Sequence, residues 1–129
     1  MILQLSHTKL DLFQHTKELV IRCYKLSDKL PDTERYSMSQ QIRRAALSVH
    51  LNLAEGCARK SNAKRMRFME ISRGSLVEVD PALDIAQTLN YLHPDDLTDL
   101  EPVMWSAFKG LSGLISNYRT NQQPNTAGK

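Results

Sequence analysis

The sequence predicts an all-α domain, folded as an antiparallel up-and-down four-helix bundle. Apolar residues recur at steps of three and four through most of the 129 residues, which is the spacing of helices with one buried face. Glycine occurs only five times, and the runs of β-branched residues that favour strands are absent. A chain of this length buries about two thirds of its unfolded surface in one core, so we expect a single domain. The bundle is predicted over residues 1–119, followed by a disordered tail over residues 120–129.

The first two helices are predicted over residues 8–29 and 37–59. The first carries one narrow apolar stripe and is stopped by Pro31. Its stripe consists of Phe13, Thr16, Val20, Cys23, Ser27 and Leu30. The second helix begins at Ser37, because residues 37–40 have the form of a capping box, in which the serine hydroxyl accepts from the third amide and Gln40 reaches back.

The third helix is predicted from Ser61 or Asn62 to Leu92 and the fourth from about Asp95. Pro81 lies inside the third helix, and we expect a bend there, since the apolar pattern continues on both sides. The predicted third stripe is Met69, Ser72, Leu76, Val79, Leu83, Ala86 and Asn90. The predicted fourth stripe is Leu97, Leu100, Met104, Leu111, Ile115 and Tyr118. Pro102 marks either a kink or a later start of the fourth helix.

The second helix carries two apolar stripes on opposite faces. The core stripe is Met38, Ile42, Ala45, Val49, Leu53 and Gly56. The second stripe is Leu47, Leu51, Ala54 and Ala58. A lone bundle would leave the second stripe in water, so it favours a subunit interface over scattered surface apolarity, and we expect a homo-oligomer. A polar strip between the stripes, Gln41, Arg44, Ser48, Asn52, Glu55 and Arg59, is interpreted as hydrogen bonding across a helix seam.

Three sequence blocks carry a family resemblance: residues 41–49 (QIRRAALSV), 52–56 (NLAEG) and 73–76 (RGSL). With them the chain, over about residues 9–118, resembles the four-helix bundle proteins encoded in intervening sequences of bacterial large-subunit ribosomal RNA genes. Those proteins are similar to accessory proteins of diversity-generating retroelements, which form ring-shaped pentamers and help a reverse transcriptase engage its RNA. The resemblance therefore implies a pentameric ring linked to RNA or RNA–DNA, with a reverse transcriptase as a further partner. Pro81 departs from the unbroken third helix that the resemblance implies.

Charge is strongly polarised along the chain. Residues 33–73 contain nine Lys and Arg against three acidic residues, whereas residues 74–101 contain seven acidic residues and no Lys or Arg. Cations at the start of the third helix are disfavoured by the helix dipole, so a phosphate-bearing partner is one explanation for them. The predicted nucleic-acid contacts are Arg43, Arg59, Lys60, Lys64, Arg65, Arg67 and Arg73. The alternative, which the sequence supports equally well, is that this basic segment pairs with the acidic half of a neighbouring subunit and does not bind nucleic acid.

No enzyme signature was found in the sequence. The four histidines lack metal-ligand spacing, and no phosphate-cradling glycine loop occurs, so we expect no catalysis, metal or cofactor. Cys23 and Cys57 lie on or beside apolar stripes and are interpreted as reduced packing residues. No apolar run is long enough to span a bilayer, which predicts a cytoplasmic protein without a membrane partner. Gly56 and Gly74, which lie within helical patterns, are interpreted as sites of close helix approach.

Two functional classes remain open from the sequence. In the first, an oligomeric accessory protein binds the RNA backbone through the basic segment, without reading bases, since aromatic residues are scarce there. In the second, a scaffold uses its polarised charge to bind a protein partner, such as a reverse transcriptase.

Overall fold

The structure, a computed structural model, describes residues 1–122 of the chain. Within them four α-helices form: α1 (Asp11–Ser27), α2 (Met38–Cys57), α3 (Asn62–Thr88) and α4 (Leu100–Gln122). Helix α1 packs against α2 and α4, and α3 packs against the same two neighbours, so the four helices form a four-cornered antiparallel bundle. The predicted fold class is confirmed. None of these helices is long and apolar enough to cross a membrane.

The buried residues follow the predicted stripes closely on α2 and α3. On α3 the buried side chains are Met69, Ser72, Leu76, Val79, Leu83 and Ala86. On α1 the prediction of Val20 was wrong, because Leu19 is fully buried and Val20 only half-buried. Leu19 and Val20 lie about 50° to either side of the direction shared by Thr16 and Cys23, and Leu26, seven residues after Leu19, is also buried. The core therefore lies on the Leu19 side of this direction. The core also takes in Ala46, which lies beside the predicted α2 stripe.

The start of α2 is stabilised differently from the prediction. The Ser37 side chain accepts no capping hydrogen bond; its hydroxyl donates to Glu34 Oε1 over 2.5 Å. Glu34 lies in a short 3₁₀ turn (Asp32–Glu34), and the same carboxylate oxygen accepts from the backbone amide of Met38 at 3.4 Å. These hydrogen bonds lower the pKa of Glu34. The carboxylate from the preceding turn therefore replaces the predicted capping box of Ser37 and Gln40.

Helix α3 is continuous through Pro81, as predicted, but ends earlier than Leu92. It begins with a cap, since the Ser61 hydroxyl accepts from the backbone amide of Lys64 at 3.2 Å. It ends at Thr88 because Asn90 takes a left-handed conformation with φ of 62°. The amide of Tyr91 then donates to the Ala86 carbonyl and that of Asn90 to the Gln87 carbonyl, both at 2.9 Å. This Schellman arrangement satisfies the last carbonyls of α3 and turns Asn90 out of the predicted stripe.

Helix α4 begins at Leu100 and not at the predicted Asp95. Residues Pro94–Leu97 form a separate 3₁₀ turn, in which Asp96 Oδ2 accepts from the His93 amide at 2.8 Å. Pro102 lies in the first turn of α4, where its missing amide has no partner within the helix, so it causes no later start. The C-terminal end of α4 extends to Gln122, beyond the predicted boundary at residue 119. Residues 123–129 of the predicted tail lie outside the described residues.

The two helical glycines that were predicted to mark close helix approach behave differently. A Cβ atom on Gly56 would lie 2.7 Å from Met69 Cε and 2.9 Å from Phe68 Cβ, so α2 and α3 touch at this point. A Cβ atom on Gly74 would meet nothing within 4 Å, and the residue is exposed. The prediction is therefore confirmed for Gly56 and wrong for Gly74, which lies on the outer face of α3.

Candidate nucleic-acid interface

The turn between α2 and α3, residues 58–61, and the first turns of α3 form the basic end of the bundle. Lys60, Lys64 and Arg67 are exposed there, and none of their side chains forms an ion pair within residues 1–122. Lys64 and Arg67 are three residues apart on α3, so they share one face of the helix. We call these three residues the basic surface. Its cationic groups are free to meet phosphates from solvent.

Two of the predicted contacts are used inside the protein. Arg65 is half-buried, and its Nε donates to the carbonyl oxygen of Arg59 at 2.7 Å, just beyond the C-terminal end of α2. Arg59 forms an ion pair with Glu55, and its guanidinium carbon lies 4.9 Å from the centre of the Phe68 ring. Both arginines therefore help to join α2 to α3. The dipole of α3 disfavours a cation at its start, but the C-terminal end of α2 favours one. The hydrogen bond of Arg65 to the end of α2 therefore explains why a cation occupies this position.

Arg73 and Arg43 lie apart from the basic surface. Arg73 is half-buried against α4, where its Nη1 donates to Ser112 Oγ at 3.1 Å. Arg43 lies about 21 Å from the C-terminal end of α2, at ~1.5 Å per residue. Its guanidinium carbon is 4.5 Å from the centre of the Tyr24 ring on α1. The seven predicted contacts therefore do not form one continuous group: Lys60, Lys64 and Arg67 are exposed together at the start of α3, and Arg43 is exposed elsewhere. Their binding to nucleic acid stays a prediction.

The end of α4 contributes Arg119, which sequence reasoning missed, beside Tyr118 of the predicted fourth stripe. Arg119 Nη2 lies 3.7 Å from Glu70 Oε1, which places the last turns of α4 beside the first turns of α3. Tyr118 is half-buried at the same end, and burial raises its pKa, with the Cys57 side chain nearby. The antiparallel topology is the signal that could have found Arg119, because it brings the end of the fourth helix to the start of the third.

The polar strip of α2 faces α3 and makes the predicted seam. Ser48 Oγ lies 2.8 Å from Ser75 Oγ, and Gln41 Nε2 donates to Glu78 Oε2 at 3.5 Å. Asn52 Nδ2 donates to both the carbonyl and the hydroxyl oxygen of Ser48 at 2.9 Å. The sequence blocks that carry the family resemblance therefore contain the residues that hold α2 against α3.

The second stripe of α2 lies at the surface of the subunit. Leu51 is 54% exposed and Ala58 is exposed, whereas Leu47 and Ala54 are half-buried. Leu51 is thus a large apolar side chain with over half of its surface in water. The stripe has the position that a subunit interface requires, and the oligomer stays a prediction.

The two cysteine side chains are buried or half-buried in the bundle. Burial raises the pKa of Cys23 to about 12, and burial also raises the pKa of the half-buried Cys57. Both thiols are therefore protonated at neutral pH. Within residues 1–122 no group of three or more His, Cys, Asp or Glu side chains is placed to hold a metal ion.

The fold and this site define an all-α four-helix bundle protein with a basic surface at one end. The family of 23S rRNA-intervening sequence proteins matches residues 8–112, which is most of the chain. The chain therefore belongs to the 23S rRNA-intervening sequence protein family. A crystal structure of a protein of unknown function from Bacteroides thetaiotaomicron VPI-5482, assigned to the S23 ribosomal protein family, has the same fold. It is 20% identical with a TM-score of 0.74, and the match covers 81% of this chain and 97% of that one. No curated protein matched the chain.

Proposed function

We propose that this protein is a non-enzymatic, oligomeric accessory protein that binds the phosphate backbone of RNA. The observation that carries the proposal is the basic surface, whose three cations are exposed and form no ion pair within the described residues. Each cation that neutralises a phosphate releases counterions, which makes such binding favourable and dependent on salt. The family's link to ribosomal RNA intervening sequences agrees with an RNA partner.

Base reading is not part of this role. Phe68, the aromatic residue nearest to the basic surface in sequence, is half-buried, and the Arg59 guanidinium covers one face of its ring, so stacking on a base would have to displace this contact. The contacts left to the basic surface are those to phosphate oxygens, which position a nucleic acid without reading its sequence. We therefore expect similar affinity for RNA molecules of different sequence.

Oligomerisation is part of the proposal. A ring, and specifically the pentamer of the retroelement accessory proteins, would repeat the basic surface around one assembly and multiply the attraction for a single RNA. The exposed Leu51 on the outer face of α2 supports a contact between subunits. In that arrangement the protein would deliver RNA, or an RNA–DNA hybrid, to a reverse transcriptase.

The direct test replaces Lys60, Lys64 and Arg67 together with glutamine and measures RNA affinity against salt concentration. Arg65 is left in place, because it bonds to the end of α2. Three lost phosphate contacts should reduce the slope of log affinity against log salt by roughly 2 for each subunit engaged, taking ~0.7 per contact to a single strand. The matched control replaces Lys17, Lys25 and Lys109, which are exposed elsewhere, and should leave the slope unchanged.

Three outcomes contradict this role. Wild-type binding without salt dependence would exclude the phosphate contacts. An equal loss of affinity in both triple variants would show that only net charge matters. If the basic-surface variant binds RNA normally but its oligomer dissociates, the cations belong to a subunit contact.

A protein-binding scaffold is the second candidate function. The observation that favours it is the acidic half of the chain, where Asp80, Asp84 and Glu101 form no ion pair within residues 1–122. Co-purification of a reverse transcriptase that is lost when these carboxylates are neutralised would support this role over RNA binding.

A further inference from the structure

A cleft of about 440 Å³ runs between α3 and α4 in the acidic half of the bundle. Its inner wall contains Leu76, Leu83 and Leu100, which belong to the core. At its mouth Val77 is 54% exposed, Trp105 is 56% exposed and Phe108 is 36% exposed. The lining extends along α3 from residue 76 to residue 87, which corresponds to roughly 16 Å, or three helical turns. The cleft is therefore an elongated apolar groove and not a closed cavity.

The rim of this groove is acidic and lacks positive partners. Asp80 and Asp84 lie one helical turn apart on α3, and Glu101 faces them from α4. None of these three carboxylates forms an ion pair within the described residues. The sequence contains no Lys or Arg between Gly74 and Phe108, and the cation at the end of the groove is Arg73, whose guanidinium carbon lies 6.0 Å from the centre of the Phe108 ring.

Two of the other acidic residues of this half, Asp96 and Asp99, are compensated by α1 and its following turn, whereas Glu78 and Asp95 have no Lys or Arg partner within residues 1–122. Lys29 Nζ lies 2.7 Å from Asp96 Oδ1, and Arg22 Nη1 lies 3.9 Å from Asp99 Oδ2. Hydrogen bonding to Lys29 lowers the pKa of Asp96. Of the five acidic side chains of this half that have no Lys or Arg partner within the described residues, three thus lie on the groove that also exposes large apolar side chains.

We infer that this groove is a docking site for a cationic amphipathic helix of a partner protein. Apolar side chains at helical spacing on the partner would cover Val77, Trp105 and Phe108, while Lys or Arg beside them would meet Asp80, Asp84 and Glu101. A groove of three turns between two antiparallel helices matches the i, i+4, i+7 anchors of such a helix. Nucleic acid is disfavoured here, since its phosphates would face three carboxylates. The inference is independent of the basic surface, which lies on the first turns of α3.

The sole tryptophan of the chain supplies a local signal for the test. An amphipathic peptide of leucine and lysine, long enough for four helical turns, is titrated into the full chain while Trp105 emission is recorded. We expect a saturable blue shift, because the indole passes from water into an apolar contact. A peptide in which every lysine is replaced by glutamate should give no shift.

A triple variant, D80N/D84N/E101Q, tests the charged rim. Three partly exposed ion pairs are lost, so affinity for the lysine peptide should fall about ten-fold. The matched control D11N/D28N/D32N changes the net charge equally at exposed sites outside the groove and should bind as the wild type does. Val77→Ser removes an apolar contact without altering charge and should also weaken binding.

Several results would overturn the inference. Equal shifts with the lysine and glutamate peptides would show that charge plays no part. Unchanged affinity in D80N/D84N/E101Q would show that the peptide binds elsewhere. A response of Trp105 to uridine-rich RNA but not to the lysine peptide would assign the groove to nucleic acid. A shift of Trp105 emission on dilution of the protein alone would assign it to a second copy of this chain.

Discussion

The contact between α2 and α3 at Gly56 allows a quantitative test of the packing. In Gly56→Ala the added Cβ atom would lie 2.7 Å from Met69 Cε, 2.9 Å from Phe68 Cβ and 3.3 Å from the Arg65 carbonyl oxygen. The end of the Met69 side chain can move, but Phe68 Cβ is fixed to the backbone of α3. The two helices must therefore separate locally.

The expected change in stability has two opposing parts. Alanine in a helix is favoured over glycine by about 1 kcal/mol, whereas overpacking of a close contact costs typically about 1–3 kcal/mol. In Gly74→Ala only the first part applies, because a Cβ atom there meets nothing within 4 Å. We expect Gly74→Ala to raise the free energy of unfolding by up to about 1 kcal/mol and Gly56→Ala to lower it by up to about 2 kcal/mol, the difference between the two parts.

Urea unfolding followed by far-ultraviolet circular dichroism measures both variants against the wild type. The difference between the two variants isolates the cost of separating α2 from α3, since the helix preference is common to both. If Gly56→Ala stabilises the protein as much as Gly74→Ala does, the close approach of α2 and α3 at this position is refuted.

The remaining predictions concern the subunit contact and pH. Leu51→Glu should release helical monomers, since it places a charge in an apolar contact between subunits, whereas Ile21→Glu on the exposed face of α1 should not. Light scattering measures the oligomeric state of both variants. A wild-type protein that is already monomeric at micromolar concentration would contradict the prediction. Burial, with the charges of Lys17 and His7, lowers the pKa of His50, so the folded state should lose stability as pH falls below about 6.5, where the unfolded histidine takes up a proton. Urea unfolding at pH 7.5 and pH 5 should show this loss in the wild type and a smaller one in His50→Gln; equal losses would exclude His50 as the cause.

The parts of the fold that depend on periodicity could be predicted from the sequence. The apolar stripe of α3 is an example, because the burial of six of its residues follows from a 3.6-residue repeat that continues across Pro81. The helix ends were harder, since local hydrogen bonds compete for the same groups. Ser37 has the sequence of a cap, yet its hydroxyl is taken by Glu34 from the preceding turn. Asn90 continues the apolar register, yet its left-handed backbone ends α3 before it.

The candidate site could be predicted only in part, because proximity in sequence is not proximity on a helix surface. Arg65 and Arg67 are two residues apart, so their side chains point about 200° apart around α3. Arg65 therefore reaches the end of α2, while Arg67 faces water. Arg119, which lies beside the start of α3, is distant in sequence and becomes a neighbour only through the antiparallel bundle.

The two halves of the charge pattern differ in how much of their charge the fold itself uses. At the basic end Arg59 and Arg65 are engaged in joining α2 to α3, and three cations stay free. At the acidic end Asp99 pairs with Arg22 on α1 and Asp96 with Lys29 just after it, and the three carboxylates of the groove stay free of ion pairs within the described residues. The stability of the fold therefore explains why the paired charges are present. It does not explain the free charges, because like charges repel one another and no ion pair within the subunit stabilises them. Lys64 and Arg67 lie in the first turns of α3, whereas Asp80 and Asp84 lie in its second half. The RNA and the cationic helix that we propose as partners would therefore not compete for the same surface.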